Sequence, residues 1–343
     1  MSPGPVLQRI RRLDVAPDPS CRSRCTRSLE AKISTDRGTV ADQGIVEFVR
    51  FSVVIPTFER QALLEETLES LYACEPPPDE ILVVDGHPEL QAKEIAARFT
   101  ARPALPELRY LTGELSSTKQ RNVGIDAATG DVIVFADDDV IFEPNVFAIL
   151  SEAYRNPFVV GATGKLGEPP TRGIGGSPQS LVHRLLFIGG AAGSFTRFGY
   201  PRYVRDLDRS VDVEVMPGAF MSARRDDAVV VRFDECLGGY ALAEDEDFSY
   251  RLSRRGRLRY LPNAVVVHRK TGFASRDQRA YDRKVVVNRA YLFRKNFRRT
   301  PLARLQFALL VLLLIVHRIM NREWAGALGL VEGAVQAWSK QIS

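Results

Sequence analysis

Two runs of acidic residues stand out among the side chains of this 343-residue sequence that could do chemistry. The first run, Asp137-Asp138-Asp139, closely follows an apolar segment that ends at Phe135. Three consecutive carboxylates repel one another, and a divalent cation with oxygen ligands is the simplest way to offset that repulsion. Mg²⁺ typically binds one or two carboxylates together with substrate phosphates. The run therefore predicts a metal-nucleotide site, whereas a helix N-cap would explain only one of the three aspartates.

The second acidic run, Glu244-Asp245-Glu246-Asp247, begins a segment that the following residues predict to be a helix. Acidic residues are common in a first helical turn because they interact favourably with the helix dipole. By itself this run therefore predicts only a helix start. In a protein that also has a metal-nucleotide site, the same carboxylates become candidates for a general base.

The segments that would position these acidic runs alternate between two patterns. Short apolar runs predict four buried strands, at Phe51–Pro56, Ile81–Val84, Leu108–Leu111 and Asp131–Phe135. Between them, helices are predicted at about 60–73, 89–99 and 116–128. This alternation predicts an α/β fold with a Rossmann-like, mostly parallel sheet and helices on both faces. Because ligands of such sheets bind beyond the carboxyl ends of the strands, the triple aspartate stands where a ligand is expected.

Three regions of different composition divide the chain. Residues 1–48 lack a sustained period and carry several prolines and arginines, so they are predicted to be a disordered basic extension. Residues 49–270 would form the catalytic domain, with a glycine-rich loop over 161–200 that is either a lid or a plain surface loop. Residues 271–343 are predicted to be a helical region that is both basic and apolar. No apolar stretch resembles a signal peptide, so we expect a cytoplasmic protein.

Charge is distributed unevenly along the chain, although the net charge is only +5. Residues 251–304 contain 17 Lys and Arg and two acidic residues, whereas the remainder contains 30 basic and 40 acidic residues. Such a basic stretch indicates an anionic partner, either a membrane surface or a nucleic acid. Aromatic residues between the basic ones keep a nucleic-acid-binding function open as an alternative. That function would leave both acidic runs unexplained.

Ten consecutive apolar residues, Phe307–Val316, follow the basic stretch. They are fewer than the roughly 20 residues that span a bilayer. A helix that lies in the membrane interface fits them best, with flanking arginines reaching the headgroups. A core helix packed on the catalytic domain and a single membrane span are the alternatives. The first interpretation predicts a peripheral location at the inner face of the membrane.

Five motifs, taken together, resemble glycosyltransferase family 2, whose members have the GT-A fold. They occur in the order of that family and cover Phe51 to His268, well over half of the chain. The motifs are Val53-Val-Ile-Pro-Thr-Phe-Glu59, Ile81-Leu-Val-Val-Asp85, Lys119-Gln-Arg-Asn-Val-Gly-Ile125, Asp137–Asp139 and Glu244–Asp247. The Gln-x-x-Arg-Trp motif of processive polysaccharide synthases does not occur in the sequence. The resemblance therefore implies a non-processive enzyme, similar to bacterial polysaccharide-type sugar transferases.

The resemblance also implies which residues hold a nucleotide-sugar donor. The residues that would hold its nucleoside are Pro56, Thr57, Glu59 and Asp85, and those that would flank its base and ribose are Lys119, Arg121 and Asn122. Asp137 and Asp138 would face the ribose and the phosphates. One departure concerns the turn after Asp85, which reads Gly86-His87-Pro88 and lacks the second aspartate that the family often has there.

The remaining roles that the resemblance implies concern the metal and the base. Asp139 would bind Mg²⁺ or Mn²⁺. His268 would either reach the same metal or be a surface histidine beside Arg269. Asp245 would be the catalytic base, with Glu244 as the alternative.

The activity implied by the resemblance is a metal-dependent, inverting transfer of one sugar. The donor would be a nucleoside-diphosphate sugar, and the acceptor would be a hydroxyl of a glycan or of a lipid-linked molecule. A sugar nucleotidyltransferase is the alternative enzyme class. Such an enzyme needs a glycine-rich N-terminal motif with a nearby Lys or Arg, and Pro56-Thr57-Phe58-Glu59 is not that motif.

Overall fold

The computed structural model describes residues 48–102, 106–167, 191–204, 207–237, 242–269 and 277–339. Its strands are β1 (Phe51–Thr57), β2 (Glu80–Asp85), β3 (Glu107–Thr112), β4 (Val132–Ala136), β5 (Val140–Phe142), β6 (Val159–Gly167), β7 (Val211–Val213), β8 (Phe220–Arg224) and β9 (Arg257–His268). Its helices are α1 (Gln61–Tyr72), α2 (Lys93–Thr100), α3 (Ser117–Ala127), α4 (Val146–Tyr154), α5 (Arg225–Val231), α6 (Glu244–Ser253), α7 (Gln278–Asn296), α8 (Pro301–Met320) and α9 (Trp324–Ser339). The extension predicted to be disordered lies outside the described residues, except for Phe48.

A single sheet joins these strands in the order β3-β2-β1-β4-β8-β6-β9-β5, with β7 paired to β9. The predicted α/β fold is confirmed, and β3, β2, β1 and β4 form a parallel half. The other half is mixed, because β6 and β9 are parallel while β4–β8, β6–β8, β7–β9 and β5–β9 are antiparallel. Only the parallel half carries the apolar strand pattern from which the sheet was predicted.

Helices cover both faces of the sheet because its central strands are apolar on both sides. Alternate residues of β1 divide between two cores: Val53 and Ile55 pack on one face, and Val54 packs on the other. The first core includes apolar residues of α1, α2 and α4, and the second includes apolar residues of α3, α5 and α6. Burial on both faces is what a continuous apolar run in a parallel strand indicates.

The glycine-rich segment 161–200 is not a loop throughout, so that prediction was wrong for its first seven residues. They belong to β6, whose glycines allow a close approach of β9: a Cβ on Gly164 would lie 1.8 Å from the Ala264 carbonyl oxygen. The glycines there reflect strand packing rather than flexibility. Residues 168–190 lie outside the described part of the chain.

The C-terminal helices dock on the sheet domain through α7. Glu246 on α6 accepts two hydrogen bonds from Arg289 on α7, at 2.9 Å each, and both side chains are largely buried. Helix α9 then packs so tightly on α7 that a Cβ on Gly329 would lie 2.1 Å from the Arg279 carbonyl oxygen. Phe307 of α8 stacks on Phe293 of α7, with ring centroids 5.4 Å apart. The last three helices therefore form one bundle attached to α6.

Candidate functional site

The carboxyl ends of the parallel strands meet at one edge of the sheet. β1 ends at Thr57, β2 at Asp85 and β4 at Ala136, directly before the triple aspartate. Gln120 of α3 ties two of these ends together, since its Nε2 donates to the Thr57 carbonyl at 3.0 Å and to the Val84 carbonyl at 2.7 Å. The edge is therefore fixed by the α3 side chain as well as by the sheet ladder.

Asp138 is the internal member of the triple aspartate. It is buried, accepts from the Thr57 hydroxyl at 2.8 Å and pairs with Arg60 at 3.3 Å. Burial raises the pKa of Asp138 to about 6, although Arg60 and Thr57 favour its charged form. Its contacts hold the turn after β4 against the turn after β1.

Asp137, Asp139 and His268 form a group that could hold a metal ion. One ligand atom from each lies within 4.8 Å of the others. The register of β5 on β9 places Val140 opposite His268, which brings the histidine beside Asp139 although 129 positions separate them in the chain. Asp137 and His268 are partly exposed, so the group is open on one side.

The chemistry of these three donors fits a divalent cation. The Oδ1 atom of Asp139 is buried and accepts no hydrogen bond from the described residues, yet it lies 3.1 Å from His268 Nε2. An unprotonated imidazole nitrogen and a carboxylate oxygen this close would repel one another unless a proton or a metal lies between them. The other oxygen, Oδ2, pairs with Arg60 at 2.9 Å. A cation at this point would satisfy the orphaned oxygen, and carboxylate oxygens are ligands that suit Mg²⁺ and Mn²⁺.

Arg121 links the two acidic runs, which the sequence alone did not show. Its guanidinium is buried and donates to Asp137 at 3.0 Å, to Glu244 at 2.7 Å and to the Gly218 carbonyl at 3.2 Å. The Arg121 Nε has no hydrogen-bond partner among the described residues. The residue lies between the runs and bonds to both, so its main contacts are with the carboxylates rather than with an open nucleoside pocket.

Asp245 stands at the start of α6, next to the Arg121 bridge. Its Oδ2 accepts from the Gly218 N–H at 2.9 Å and from the Tyr203 hydroxyl at 3.1 Å, and its Oδ1 accepts from the Glu246 N–H at 2.9 Å. Burial raises the pKa of Asp245. Burial raises the pKa of Glu244 as well, against the opposing effect of Arg121. A carboxylate whose pKa is raised toward neutrality is suited to proton transfer.

The second acidic run does not act as one cluster. Glu244 and Asp245 face the edge of the sheet, whereas Glu246 binds Arg289 of α7. Asp247 binds Lys295 and Asn296 of α7 and also Arg251 of α6 itself. Helical geometry explains this division, because successive residues point about 100° apart around the axis. Only the first two residues of the run can therefore belong to the site.

Asp85 lies at the same edge, but both of its oxygens are occupied within the protein. Oδ1 accepts from the His87 N–H at 2.8 Å, and Oδ2 accepts from the Ala92 N–H at 3.0 Å and the Tyr110 hydroxyl at 2.9 Å. His87 in turn lies 3.3 Å from Glu59, whose backbone is in the left-handed region with φ of 56°. The turn after Asp85 therefore contains His87 and lacks the second aspartate that the family often has there.

The remaining predicted nucleoside residues differ in their surroundings. Pro56 lies inside β1, one residue before the strand ends. Lys119 pairs with Glu114 near the surface. Asn122 is buried away from the edge, where it exchanges hydrogen bonds with the Phe233 backbone and donates to Glu235. The structure thus does not bring Asn122 to the other residues predicted for the nucleoside.

Three residues at the edge were missed in the sequence. Arg60 bridges Asp138 and Asp139, Gln120 joins two strand ends, and Tyr203 donates to Asp245. Gln120 stands inside a motif that was noticed, and Arg60 directly follows another. Tyr203 gave no signal, because 42 residues separate it from its partner and no local pattern marks it.

Solved structures of two sugar transferases have a similar fold. The crystal structure of GalNAc-T7 with UDP, GalNAc and Mn²⁺ superposes with a TM-score of 0.54 at 17% identity, covering 70% of this chain and 48% of that one. The mannosyltransferase PcManGT from Pyrobaculum calidifontis, in complex with GDP-Man and Mn²⁺, superposes with a TM-score of 0.53 at 16% identity, covering 85% of this chain and 87% of that one. At such identities the likeness concerns the fold, which is the GT-A fold of glycosyltransferases.

The family follows from the sequence match. The family model described as Glycosyl transferase family 2 matches residues 52–228, just over half of the chain. The chain therefore belongs to glycosyl transferase family 2.

Curated relatives are similar over shorter stretches. The uncharacterized glycosyltransferase EpsJ of Bacillus subtilis (strain 168) is 31% identical over 138 residues, which cover 39% of this chain and 39% of EpsJ. The GalNAc(5)-diNAcBac-PP-undecaprenol beta-1,3-glucosyltransferase of Campylobacter jejuni is 28% identical over 93 residues, covering 26% of this chain and 29% of that enzyme. The matches thus span well under half the length of either relative.

Proposed function

We propose that this protein transfers one sugar from a nucleoside-diphosphate sugar to an acceptor hydroxyl, with a divalent cation and with inversion at the anomeric carbon. The observation that carries this proposal is the Arg121 bridge, which joins Asp137 of the candidate metal-ligand group to Glu244, the neighbour of Asp245, at one sheet edge. Such an edge is where α/β sheets of this kind bind ligands. Family membership supports the donor class.

The cation would be held by Asp137, Asp139 and His268. Bound there, Mg²⁺ or Mn²⁺ would neutralise negative charge on the donor diphosphate. Arg60 contributes a positive charge at the same place, since it pairs with Asp139 and is about one-third exposed. The Asp137 carboxylate pairs with Arg121 at 3.0 Å and is about one-third exposed.

Asp245 would accept the proton of the acceptor hydroxyl. Glu244, which Arg121 binds at 2.7 Å, lies beside it, and burial raises its pKa against the effect of that arginine. The Tyr203 hydroxyl already occupies Asp245 Oδ2, and an incoming hydroxyl could replace it as the hydrogen-bond donor. Removing the proton as the oxygen attacks makes that oxygen a better nucleophile. The Gly218 and Glu246 N–H groups keep the carboxylate in place during this exchange.

We further infer a glycan or lipid-linked acceptor and a peripheral location at the inner face of the cytoplasmic membrane. The Campylobacter relative is named for a polyprenol-diphosphate-linked substrate, which supports a lipid-linked acceptor. One described helix, α8, is long and apolar enough to cross a membrane by length and composition, with a mean hydropathy of 1.9 and 22% of that window buried.

A nucleic-acid function is less well supported than it was from charge alone. Many of the basic residues in 251–304 that the structure describes form ion pairs within the protein. These pairs include Arg251–Asp247, Arg254–Glu214, Arg255–Asp227, Arg259–Asp212, Arg269–Glu66, Arg289–Glu246 and Lys295–Asp234. Charges neutralised in this way cannot also release counterions from a phosphate backbone.

A panel of nucleotide sugars with Mn²⁺ or Mg²⁺ tests the proposal. We expect cation-dependent release of a nucleoside diphosphate from at least one donor and, with a matching acceptor, a product of inverted anomeric configuration by NMR. Asp226→Asn, an exposed change in the first turn of α5, is the matched control and should retain full activity. A product of retained configuration would refute the single displacement. Conversion of the nucleotide sugar and added pyrophosphate into a nucleoside triphosphate and a sugar 1-phosphate would favour a nucleotidyltransferase.

A further inference from the structure

Helix α8 leaves one complete face uncovered. Its exposed apolar residues recur at intervals of three and four, which is the spacing of a single helical face. The stripe consists of Leu302, Leu305, Leu309, Leu312, Val316 and Ile319, each between 40% and 66% exposed, and Met320 at the C-terminal end of α8 is 78% exposed. The opposite face of α8 is buried in the C-terminal bundle. The exposed stripe therefore runs nearly the whole length of the helix.

Helix α9 presents a stripe of the same kind. Its members are Trp324, Leu328, Val331, Val335 and Trp338, each between 43% and 64% exposed. They again recur at intervals of four and three, while the opposite face packs on α7 through Gly329, Leu330 and Gly333. The two tryptophans are the only ones in the chain, and both lie on this stripe. Tryptophan is the side chain most typical of the membrane-water boundary.

The charges around the two stripes are mostly basic. Helix α8 contains no Asp or Glu. Arg298, Arg299 and Arg304 are exposed at its N-terminal end. The acidic residue of α9, Glu332, is bound to Arg279 of α7. Among the described residues, the rim of this apolar surface is therefore complementary to an anionic layer.

Packing argues against α8 crossing a bilayer. Ala303, Phe307, Leu310 and Val311 are buried against the rest of the bundle, and Arg318 binds Asp282 of α7 at 3.0 Å. A transmembrane orientation would pull α8 away from these contacts and leave a buried carboxylate without its cation. A helix lying on the surface keeps every one of them.

We propose that the joint exposed face of α8 and α9 docks on a bilayer containing anionic lipids, with the stripes buried in the interface and the arginines at the headgroups. This inference rests on the proposed function in that it supplies the surface for the peripheral location. It adds α9 and its tryptophans, which the apolar run at 307–316 did not indicate. A lipid-linked acceptor would meet the enzyme on this surface.

The two tryptophans allow a direct test on the full-length protein. We expect vesicles of equal parts phosphatidylcholine and phosphatidylglycerol to shift tryptophan emission to shorter wavelength and to sediment the protein. Leu305→Glu combined with Val335→Glu should weaken vesicle affinity at least about tenfold, because two apolar side chains are replaced by charges at the interface. Val230→Glu, an equally exposed apolar position on α5, is the matched control and should change nothing.

Arg298→Gln and Arg299→Gln should each weaken binding about fivefold, and salt should weaken wild-type binding. The proposal is overturned if anionic vesicles cause neither sedimentation nor an emission shift. It is also overturned if the stripes join two copies of the chain. In that case the wild type would be a dimer that does not bind vesicles, and the double Glu variant would be a monomer. Resistance to extraction at alkaline pH would show a span instead.

These measurements separate this inference from the proposed function. Vesicle binding is measured without turnover, and donor breakdown is measured without vesicles. The double Glu variant should break down donor in solution like the wild type, since its substitutions lie far from the sheet edge. Donor breakdown without vesicle binding would refute only the docking surface. Vesicle binding without donor breakdown would refute only the proposed sugar transfer.

Discussion

Two regions beside α6 contain buried carboxylates and cations, yet they balance them differently. The first region, the carboxylate edge, contains Asp137, Asp138, Asp139, Glu244 and Asp245, whose arginine partners are Arg60 and Arg121. The second region, the α6–α7 interface, contains Asp234, Glu246 and Asp247, which pair with Arg251, Arg289 and Lys295. The edge has five carboxylates and two arginine partners, whereas the interface has three carboxylates and three cations.

This difference separates a site from a structural contact within one acidic run. Buried charges that only hold a fold together need partners, because an unpaired one costs several kcal/mol. The interface meets that condition. At the edge, the protein alone does not provide a partner for every carboxylate. A site that binds a cation and accepts a proton requires such carboxylates.

The largest expected effect is on catalysis at the edge. Asp245→Asn removes the proposed proton acceptor while it retains the shape of the side chain, so kcat should fall about 10²–10⁴-fold. Because burial already disfavours the charged form of Asp245, the free energy of unfolding should change by less than about 1 kcal/mol. Steady-state kinetics and urea denaturation measure the two quantities. Retention of wild-type kcat would remove Asp245 from the mechanism.

The neighbouring interface should respond in the opposite way. Asp247→Asn leaves Arg251 and Lys295 short of a buried partner, so we expect the free energy of unfolding to fall by about 3–5 kcal/mol. At a temperature where the variant is folded, kcat should stay near the wild-type value. Urea denaturation combined with steady-state kinetics distinguishes Asp247→Asn from Asp245→Asn. An Asp247→Asn variant that is inactive but as stable as the wild type would show that the two regions do not differ in role.

The sequence showed the strand ends, the family and both acidic runs because these are local patterns. It could not show how Glu244–Asp247 divides, since that depends on where α7 lies against α6. It also could not show that Arg121 joins the runs, because residues 121 and 244 meet only after β4 and α6 are placed. The mixed half of the sheet was missed for the same reason, as strand direction there is set by pairing rather than by composition.

A smaller effect is expected from cation binding at the edge. Mn²⁺ at about 100 times its dissociation constant should stabilise the wild type by about 2.7 kcal/mol. Asp139→Asn and His268→Ala should lose most of that gain, because each removes a ligand from the group of three. Thermal unfolding with Mn²⁺ and with EDTA measures the difference, and Asp226→Asn serves as the control. Equal stabilisation of all four proteins would place the cation elsewhere.

The smallest expected effect is a difference in pH dependence between the two regions. Burial would raise the pKa of Asp234, but Lys295 and hydrogen bonds from Tyr291 and the Cys236 N–H outweigh it and lower that pKa. A lowered pKa contributes stability above the unfolded value of about 3.9 and loses it as pH falls through the folded value. Asp234→Asn should therefore be about 1–3 kcal/mol less stable than wild type near neutral pH, because charged hydrogen bonds are lost. The free energies of unfolding of the variant and the wild type should converge at acidic pH.

Asp138 at the carboxylate edge gives the opposite sign. Its pKa is raised to about 6, so its protonated form contributes stability below about pH 4 that is lost as pH rises through 6. With EDTA present, the free energy of unfolding of Asp138→Asn should increase relative to that of the wild type as pH rises. The free energy of unfolding of Asp234→Asn should decrease relative to it over the same range. Urea denaturation across this range compares both variants on one axis. A carboxylate that is paired with cations and one that lacks enough of them should respond to protonation with opposite signs. If the free energies of unfolding of the two variants changed with pH in the same direction, the edge and the interface would not differ in charge balance.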